Sequence, residues 1–427
     1  MFEPELETLE INELESLQAE KMLHQIKYAY NRVPFYRKKF ENIGIAPDDI
    51  KSLEDVAKVP FTVKDDLREH YPYGILAVPM DRIVRLHSSS GTTGIPTVVA
   101  YTANDVKTWS RLMARTFATA GATPGDIVQN AYGYGLFTGG LGFHYGAETV
   151  GCTILPIASG NTKRQLKIMK DLKTTIFCAT PSYTMFLSEV AKEEGYTPSE
   201  DFNLKIVLCG AEPWSEEMRK KIQEGLGVKA HDCYGLSEIY GPGVAVECEK
   251  QDGLHIWADE FYAEVIDPDT GEVKQPGTRG ELVITMLNRE AMPLLRYRTR
   301  DICEMNWEKC ECGRTHPRIM RVTGRSDDML IVRGVNVFPS QVEDILLGIP
   351  GIGSEYQIIV DRDILDCLTI KVELAEDFSG DKGVLRKETV KTLEAWVCVK
   401  AAVELLDYNT LPRTEGKAKR VIDLRKK

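Results

Sequence analysis

No stretch of this chain holds enough consecutive apolar residues to cross a bilayer, so a membrane-spanning helix is excluded as its organising element. A basic leader is missing as well. The opening Met1-Phe2-Glu3-Pro4-Glu5-Leu6-Glu7 is acidic, unlike a secretion signal, and the cytoplasm is the expected compartment. Cationic residues are in deficit, 53 against 64 acidic ones for a net charge of -11, and no dense basic patch interrupts that balance. A broad nucleic-acid surface is thereby excluded. Internal repeats and low-complexity tracts are absent. Ten cysteines in 427 residues are too dilute for a disulfide scaffold. With 43% apolar and 27% charged residues, the composition is that of a soluble protein, and the length predicts two or three domains.

What is present is a regular alternation. Residues 106–120, 162–172, 183–193 and 216–226 carry helical apolar spacing, while 126–130, 149–156, 175–178 and 205–209 read as buried strands. Buried strands between helices predict α/β layers. Ahead of them, residues 5–30 are helical and 31–47 read as an exposed, turn-rich approach with aromatic anchors. After about residue 245 the texture changes: 255–257, 261–266 and 280–285 are strands separated by Asp-Gly, Asp-Pro and Pro-Gly turns, a mixed or barrel-like segment. A third region begins near Arg325, with helices over 342–347 and 385–399 and strands over 356–360 and 368–374.

The most informative segment is Ser88-Ser89-Ser90-Gly91-Thr92-Thr93-Gly94-Ile95-Pro96, which follows a strand-like run over 82–86. Small residues let the backbone turn tightly, so that N–H groups and hydroxyls face one concavity suited to a phosphate chain. The Gly-Lys-Ser/Thr ending of the common P-loop is missing, and the neutral Thr97 follows instead.

Cysteine usage divides in two. Cys152, Cys178, Cys209, Cys367 and Cys398 stand among apolar residues and are expected to fill cores. By contrast, Cys310-Glu311-Cys312-Gly313 is a compact thiolate turn, and Cys248 and His255 flank an Asp252-Gly253 turn as if on facing strands. Cys248, His255, Cys310 and Cys312 form a candidate tetrahedral zinc site of structural type, with Cys303 or His316 as alternative ligands.

Five motifs in order resemble the adenylate-forming (acyl-CoA synthetase) superfamily: the Ser/Gly loop, Tyr234-Gly235-Leu236-Ser237-Glu238, Tyr297-Arg298-Thr299-Arg300-Asp301, Gly324-Arg325-Ser326-Asp327-Asp328 and Pro412-Arg413-Thr414-Glu415-Gly416-Lys417. Finer features are similar to its phenylacetate-CoA ligase branch: Thr97 in place of lysine, the run Tyr132-Gly133-Tyr134-Gly135-Leu136-Phe137-Thr138-Gly139-Gly140, and Arg333-Gly334-Val335-Asn336-Val337-Phe338-Pro339.

The resemblance implies an α/β fold with a large multi-sheet N-terminal domain, 1–324, and a small mobile α+β C-terminal lid, 325–427, turning about Asp327. It implies that ATP and Mg²⁺ activate an aryl acid as acyl-AMP, which passes to coenzyme A. Transfer to a carrier-protein pantetheine, or a non-catalytic nucleotide-binding homologue, are the alternatives. Ser88, Ser89, Ser90, Gly91, Thr92, Thr93 and Gly94 are assigned to the phosphates, and Gly210, Ala211, Glu212, Asp232, Tyr234, Gly235 and Ser237 to the adenine side. Asp301 would hold the ribose, Arg325 the nucleotide and Glu238 the Mg²⁺, with Thr93, Glu238 and Lys417 in catalytic roles. Because Thr97 is neutral, Mg²⁺ and distant basic residues must carry more of the phosphate charge. Tyr132, Tyr134, Phe137 and Gly139 would confine the acyl group, aromatics against a flat ring and glycines leaving it space. A homodimer is a further implication of the resemblance.

Overall fold

Strands in the middle of this chain are apolar on both faces, which only a sheet covered on both sides tolerates. Ile206–Gly210 and Ile176–Ala179 are buried at every position. Alternate residues divide between two cores: Ile176, Cys178, Ile206 and Leu208 pack in one with Trp109 and Phe117. Phe177, Ala179, Val207 and Cys209 pack in the other with Leu166, Leu187 and Met218. The computed structural model describes residues 1–89, 96–322, 324–326, 330–332, 335–362, 366–397, 399–413 and 418–426, and the counts below refer to these.

The central sheet has nine strands. From one edge run Thr153–Leu155, Ile127–Asn130, Ile176–Ala179, Ile206–Gly210 and Lys229–Tyr234, all parallel. Ala245–Glu247, Leu254–Ile256, Arg318–Ile319 and Met305–Asn306 extend it antiparallel. A four-stranded antiparallel sheet holds Phe261–Ile266, Gly280–Met286, Tyr297–Cys303 and Gly324–Arg325. Ile83–Ser88 and Val98–Thr102 form a separate hairpin.

From Leu330 onward the chain builds a third core of its own. Its sheet orders Ala401–Leu406, Asp366–Leu374, Ile352–Arg362 and Val421–Asp423, with helices Pro339–Leu347 and Lys382–Val397. This unit leans on the larger one through Leu347, which enters the second core, and through Ser354, whose hydroxyl donates to Glu189 Oε1 at 2.5 Å.

Three expectations need correction. Residues 31–47 are not an exposed approach: Pro34 starts the helix Pro34–Asn42, where its fixed φ suits the first turn, and Phe35, Tyr36 and Phe40 are buried. The strand expected over 149–156 shrinks to Thr153–Leu155, because Thr149 and Val150 finish the helix Thr138–Val150 and Gly151 caps it at φ 95°. Cys367 is exposed at the start of its strand, whereas Cys152, Cys178 and Cys209 are buried; Cys398 lies outside the described residues. No described helix is long and apolar enough to cross a membrane.

Candidate active site

Parallel strands deliver their functional loops at one edge, the carboxyl ends, where an open α/β sheet leaves its crevice. Four such ends carry candidate residues here: Asn130 leads to Tyr132, Ala179 to Ser182, Gly210 to Ala211 and Glu212, and Tyr234 to Glu238.

The chain on either side of the Ser/Gly loop closes on itself at the end of the hairpin. Ser89 N donates to Thr97 O at 3.0 Å, and Thr97 N returns a bond to Ser89 Oγ at 3.1 Å. Ser88 N bonds Leu136 O at 3.0 Å, joining the loop to the aromatic segment. Ser90, Gly91, Thr92, Thr93 and Gly94 lie outside the described residues, as do Asp327 and Lys417.

Glu238 is 4% exposed, and its Oε1 takes two contacts at 3.2 Å: the hydroxyl of Thr97 and the ammonium of Lys64. The neutral residue after the loop thus touches the carboxylate assigned to Mg²⁺. Ser237 Oγ stands 3.4 Å from Thr138 Oγ1.

Tyr234 and Asp301 meet although 67 residues separate them: the phenol donates to Asp301 Oδ2 at 2.6 Å. Asp301 pairs across the strands with Arg325, whose guanidinium is 3.6 Å from Oδ1. A cavity of about 580 Å³ is lined by Lys64, Glu238, Tyr297, Arg300, Arg325 and Phe338 among others, so that Arg325 of this pair and Glu238 face one space.

On the adenine side, Gly210 is required by close approach, since a Cβ there would stand 2.5 Å from Cys233 O. Ala211 follows at φ 71°. Glu212 turns its carboxylate away from the loop: Oε1 accepts from Ser182 N at 2.7 Å, and Oε2 from Ala418 N in the C-terminal unit at 3.1 Å. Burial pushes its pKa up. Asp232 is likewise raised by burial, and its N–H donates to Glu247 Oε2 at 2.8 Å. Gly235 lies against Gly241 Cα, where a Cβ would approach to 2.5 Å.

In the aromatic segment, Tyr132 is buried, stacked on Phe143 at 4.8 Å, and donates to Ala179 O at 2.6 Å. The Tyr134 hydroxyl accepts from Asn130 Nδ2 at 2.8 Å. Phe137 is 51% exposed. A Cβ on Gly139 would make ordinary contact with the Tyr132 ring at 3.4 Å, whereas one on Gly140 would clash with Gly133 O at 2.3 Å. Close approach of the chain requires glycine at 140.

Cys248, His255, Cys310 and Cys312 are brought together, their donor atoms all within 4.8 Å of one another. Cys248 Sγ lies 3.8 Å from Cys310 Sγ, and Cys312 Sγ lies 3.4 Å from His255 Nε2. A tetrahedral ion with Zn–S bonds of about 2.3 Å sets its sulfurs about 3.8 Å apart, so the donor set fits zinc. The contact with Cys248, then those with His255 and Arg314, draws the Cys312 thiol down, while Cys248 is driven up. His316 is used elsewhere: its Nε2 is 2.9 Å from Leu6 O and its Nδ1 accepts from Ala258 N at 3.3 Å. Cys303, in Tyr297–Cys303, is not part of the cluster either.

Lys64 was not among the residues singled out in the sequence. Its only signal there is indirect, the charge missing at Thr97.

Residues 15–287 match the AMP-binding enzyme family, and residues 334–425 match the AMP-binding enzyme C-terminal domain. Along its whole length the chain is 48% identical to a phenylacetate-coenzyme A ligase of Thermus thermophilus, with 100% of each chain covered. It belongs to the AMP-binding enzyme family, on the phenylacetate-CoA ligase branch. The fold is that of the adenylate-forming enzymes. A 2-hydroxyisobutyryl-CoA ligase solved in its postadenylation state superposes with a TM-score of 0.93 at 32% identity, over 99% of this chain and 92% of that one. The same ligase in its thioesterification state, with 2-HIB-AMP and CoA, gives 0.73 at 33% identity, over 98% and 91%.

Proposed function

We propose that this enzyme is an AMP-forming acid–thiol ligase acting on a phenylacetate-like aryl acid with ATP and coenzyme A. In the first step a carboxylate oxygen bonds to the α-phosphorus and pyrophosphate leaves with the electron pair. In the second, the CoA sulfur attacks the acyl carbon, AMP departs, and the thiol proton goes to solvent. The observation that carries this reading is that Glu238 and Arg325 line one cavity, Glu238 in contact with Thr97 and through it with Ser89, and Arg325 paired with Asp301, which the Tyr234 phenol bonds. Phosphoryl chemistry of this kind rests on positioning and on charge neutralisation, which such a ring of groups supplies.

In this reading Asp301 accepts from the ribose hydroxyls, Tyr234 lies against adenine and Arg325 faces the nucleotide. Residues 88–94 cradle the departing pyrophosphate, and Glu238 holds Mg²⁺, a hard cation suited to carboxylate oxygen. Residues 325–427 form the lid, turning at Asp327 to bring Lys417 to the α-phosphate. The two TM-scores against one ligase in two states support such an alternation. The aryl ring is assigned to Tyr132, Tyr134, Phe137 and Gly139. Cys248, His255, Cys310 and Cys312 hold a structural zinc that ties the antiparallel extension of the sheet together. A homodimer and a cytoplasmic location rest on the family likeness alone.

Incubation with ATP, Mg²⁺, CoA and a panel of aryl acids, read by mass spectrometry, tests the function. Formation of phenylacetyl-CoA or a close analogue is expected. Folded protein that makes no aryl-CoA from any member contradicts the reading, and acyl-AMP that accumulates without transfer to CoA points to a carrier-bound thiol instead.

A further inference from the structure

The Ser/Gly loop ends on Thr97, so the cation that would meet the outer phosphates of ATP must come from elsewhere. Thr97 is fully buried, and its hydroxyl is engaged by Ser89 Oγ at 2.8 Å and Glu238 at 3.2 Å. It brings no charge to that place. Lys64 does: its ammonium sits 3.2 Å from the same Glu238 oxygen, and Lys64 and Glu238 both line the 580 Å³ cavity.

We propose that Lys64 is a catalytic residue, its ammonium binding the β- and γ-phosphates of ATP and the departing pyrophosphate in place of a loop lysine. This inference rests on the adenylation reading above.

The segment before Lys64 is held firmly on the strand that carries Asp301. Thr62 N donates to Arg296 O at 3.1 Å, and Arg298 N donates to Thr62 O at 2.9 Å. The Thr62 hydroxyl adds a bond to Leu295 O at 2.7 Å. Lys64 then opens the helix Lys64–Glu69, whose first turn is tied by Asp66 Oδ2 accepting from Val63 N at 2.8 Å. Asp66 is itself neutralised by Lys39 at 2.6 Å. The backbone is fixed, and the side chain, 37% exposed, keeps the freedom to follow a ligand.

Other cations around the cavity also face carboxylates, Arg300 among them at 3.6 Å from Glu281. Arg298 Nη2 is 2.6 Å from Glu281, Arg68 Nη1 is 2.7 Å from Asp65, and Arg325 pairs with Asp301. The carboxylate beside Lys64 is different, because Glu238 is the residue assigned to the metal that accompanies ATP. Once Glu238 serves that metal, the ammonium is left facing the phosphates. As the bond from the α-phosphorus to its bridging oxygen breaks, negative charge grows on the β-phosphate, and a positioned ammonium stabilises it without any proton transfer.

The test uses full-length Lys64→Met, Lys64→Gln and Lys64→Arg enzymes, with folding checked by thermal melting. Acid-dependent ATP–pyrophosphate exchange reads adenylation, and reaction of supplied phenylacetyl-AMP with CoA reads the second step alone. Lys64→Met and Lys64→Gln are expected to lower exchange kcat/KM by about 100-fold or more and to raise KM for pyrophosphate, with the CoA step within about threefold of wild type. Lys64→Arg keeps the charge and is expected to retain most of the pyrophosphate affinity. Exchange unchanged in the two neutral variants overturns the assignment, as does an equal fall of both steps, which would mark a merely structural ion pair. A wild-type enzyme without exchange on any aryl acid sinks the adenylation reading instead.

Discussion

The Tyr234 phenol donates to Asp301 Oδ2 at 2.6 Å, linking the end of a central-sheet strand to a strand of the antiparallel sheet. One bond thus aligns the aromatic face assigned to adenine with the carboxylate assigned to ribose. Asp301→Ala removes an acceptor for two hydroxyls, and charge-assisted bonds of this kind contribute about 1.5–3 kcal/mol each. A loss of about 100-fold or more in kcat/KM for ATP is expected, with an unchanged KM for the aryl acid. Tyr234→Phe keeps the ring and loses only the alignment, so about a tenfold loss is expected. Steady-state kinetics with each substrate varied in turn checks both.

Glu238→Gln keeps the shape of a 4% exposed side chain and removes its charge. Adenylation is expected to fall by about 100- to 1000-fold, with supplied acyl-AMP still converted by CoA. Lys417→Ala is expected to show the same split if the lysine proposed for the lid serves only the first step. Equal losses in both half-reactions would contradict either role.

Much of this site was legible in the sequence because each motif carries its own local chemistry. The Tyr234–Glu238 run and the Cys310–Cys312 turn are recognisable within a few residues of chain, and the four donors of the candidate zinc site do converge. Lys64 was invisible for the opposite reason. Nothing beside it in the chain marks it; only the fold brings it to Glu238 across 174 positions. The aromatic, glycine-rich run around Phe137 and Gly139 was less legible, because such a run serves helix packing, as Gly140 does, as readily as a ligand, and periodicity alone does not separate the two. The helix Pro34–Asn42 was missed because a proline that starts a helix reads as a turn when the burial of Phe35, Tyr36 and Phe40 is not in view.

Untagged enzyme is expected to contain one zinc per chain by elemental analysis. The cluster is tied to the N-terminal segment: Arg314 donates to Cys312 Sγ at 3.5 Å and to Glu7 Oε2 at 2.7 Å. Chelation, or Cys310→Ser, is therefore expected to lower the melting temperature by several degrees and to expose residues near Glu7 to proteases, because metal binding energy is folding energy. Protein with no bound zinc and no response to chelator contradicts the assignment.

Glu343 is buried in the C-terminal unit, and desolvation raises its pKa to about 8. Arg420 opposes that rise, while Glu212 and Asp344 add to it. A carboxyl whose folded pKa exceeds its unfolded value contributes stability that is complete below the unfolded value and fades as pH rises towards the folded one. The native enzyme is expected to lose up to about 1.4 kcal/mol per pH unit from this group between about pH 5 and pH 8. Glu343→Gln removes that slope and is expected to melt higher than wild type at pH 8 relative to pH 5. Parallel melting curves across that range would contradict it.

The account turns on a single ATP molecule being gripped by loop, carboxylate and strand so that an acid can attack its α-phosphate. Aryl-acid-dependent exchange of labelled pyrophosphate into ATP by the unmodified enzyme reads that step directly. Exchange that needs phenylacetate or a close aryl acid, and needs no CoA, is the predicted result; folded enzyme that exchanges no label with any aryl acid, or exchanges it equally without one, would contradict the account.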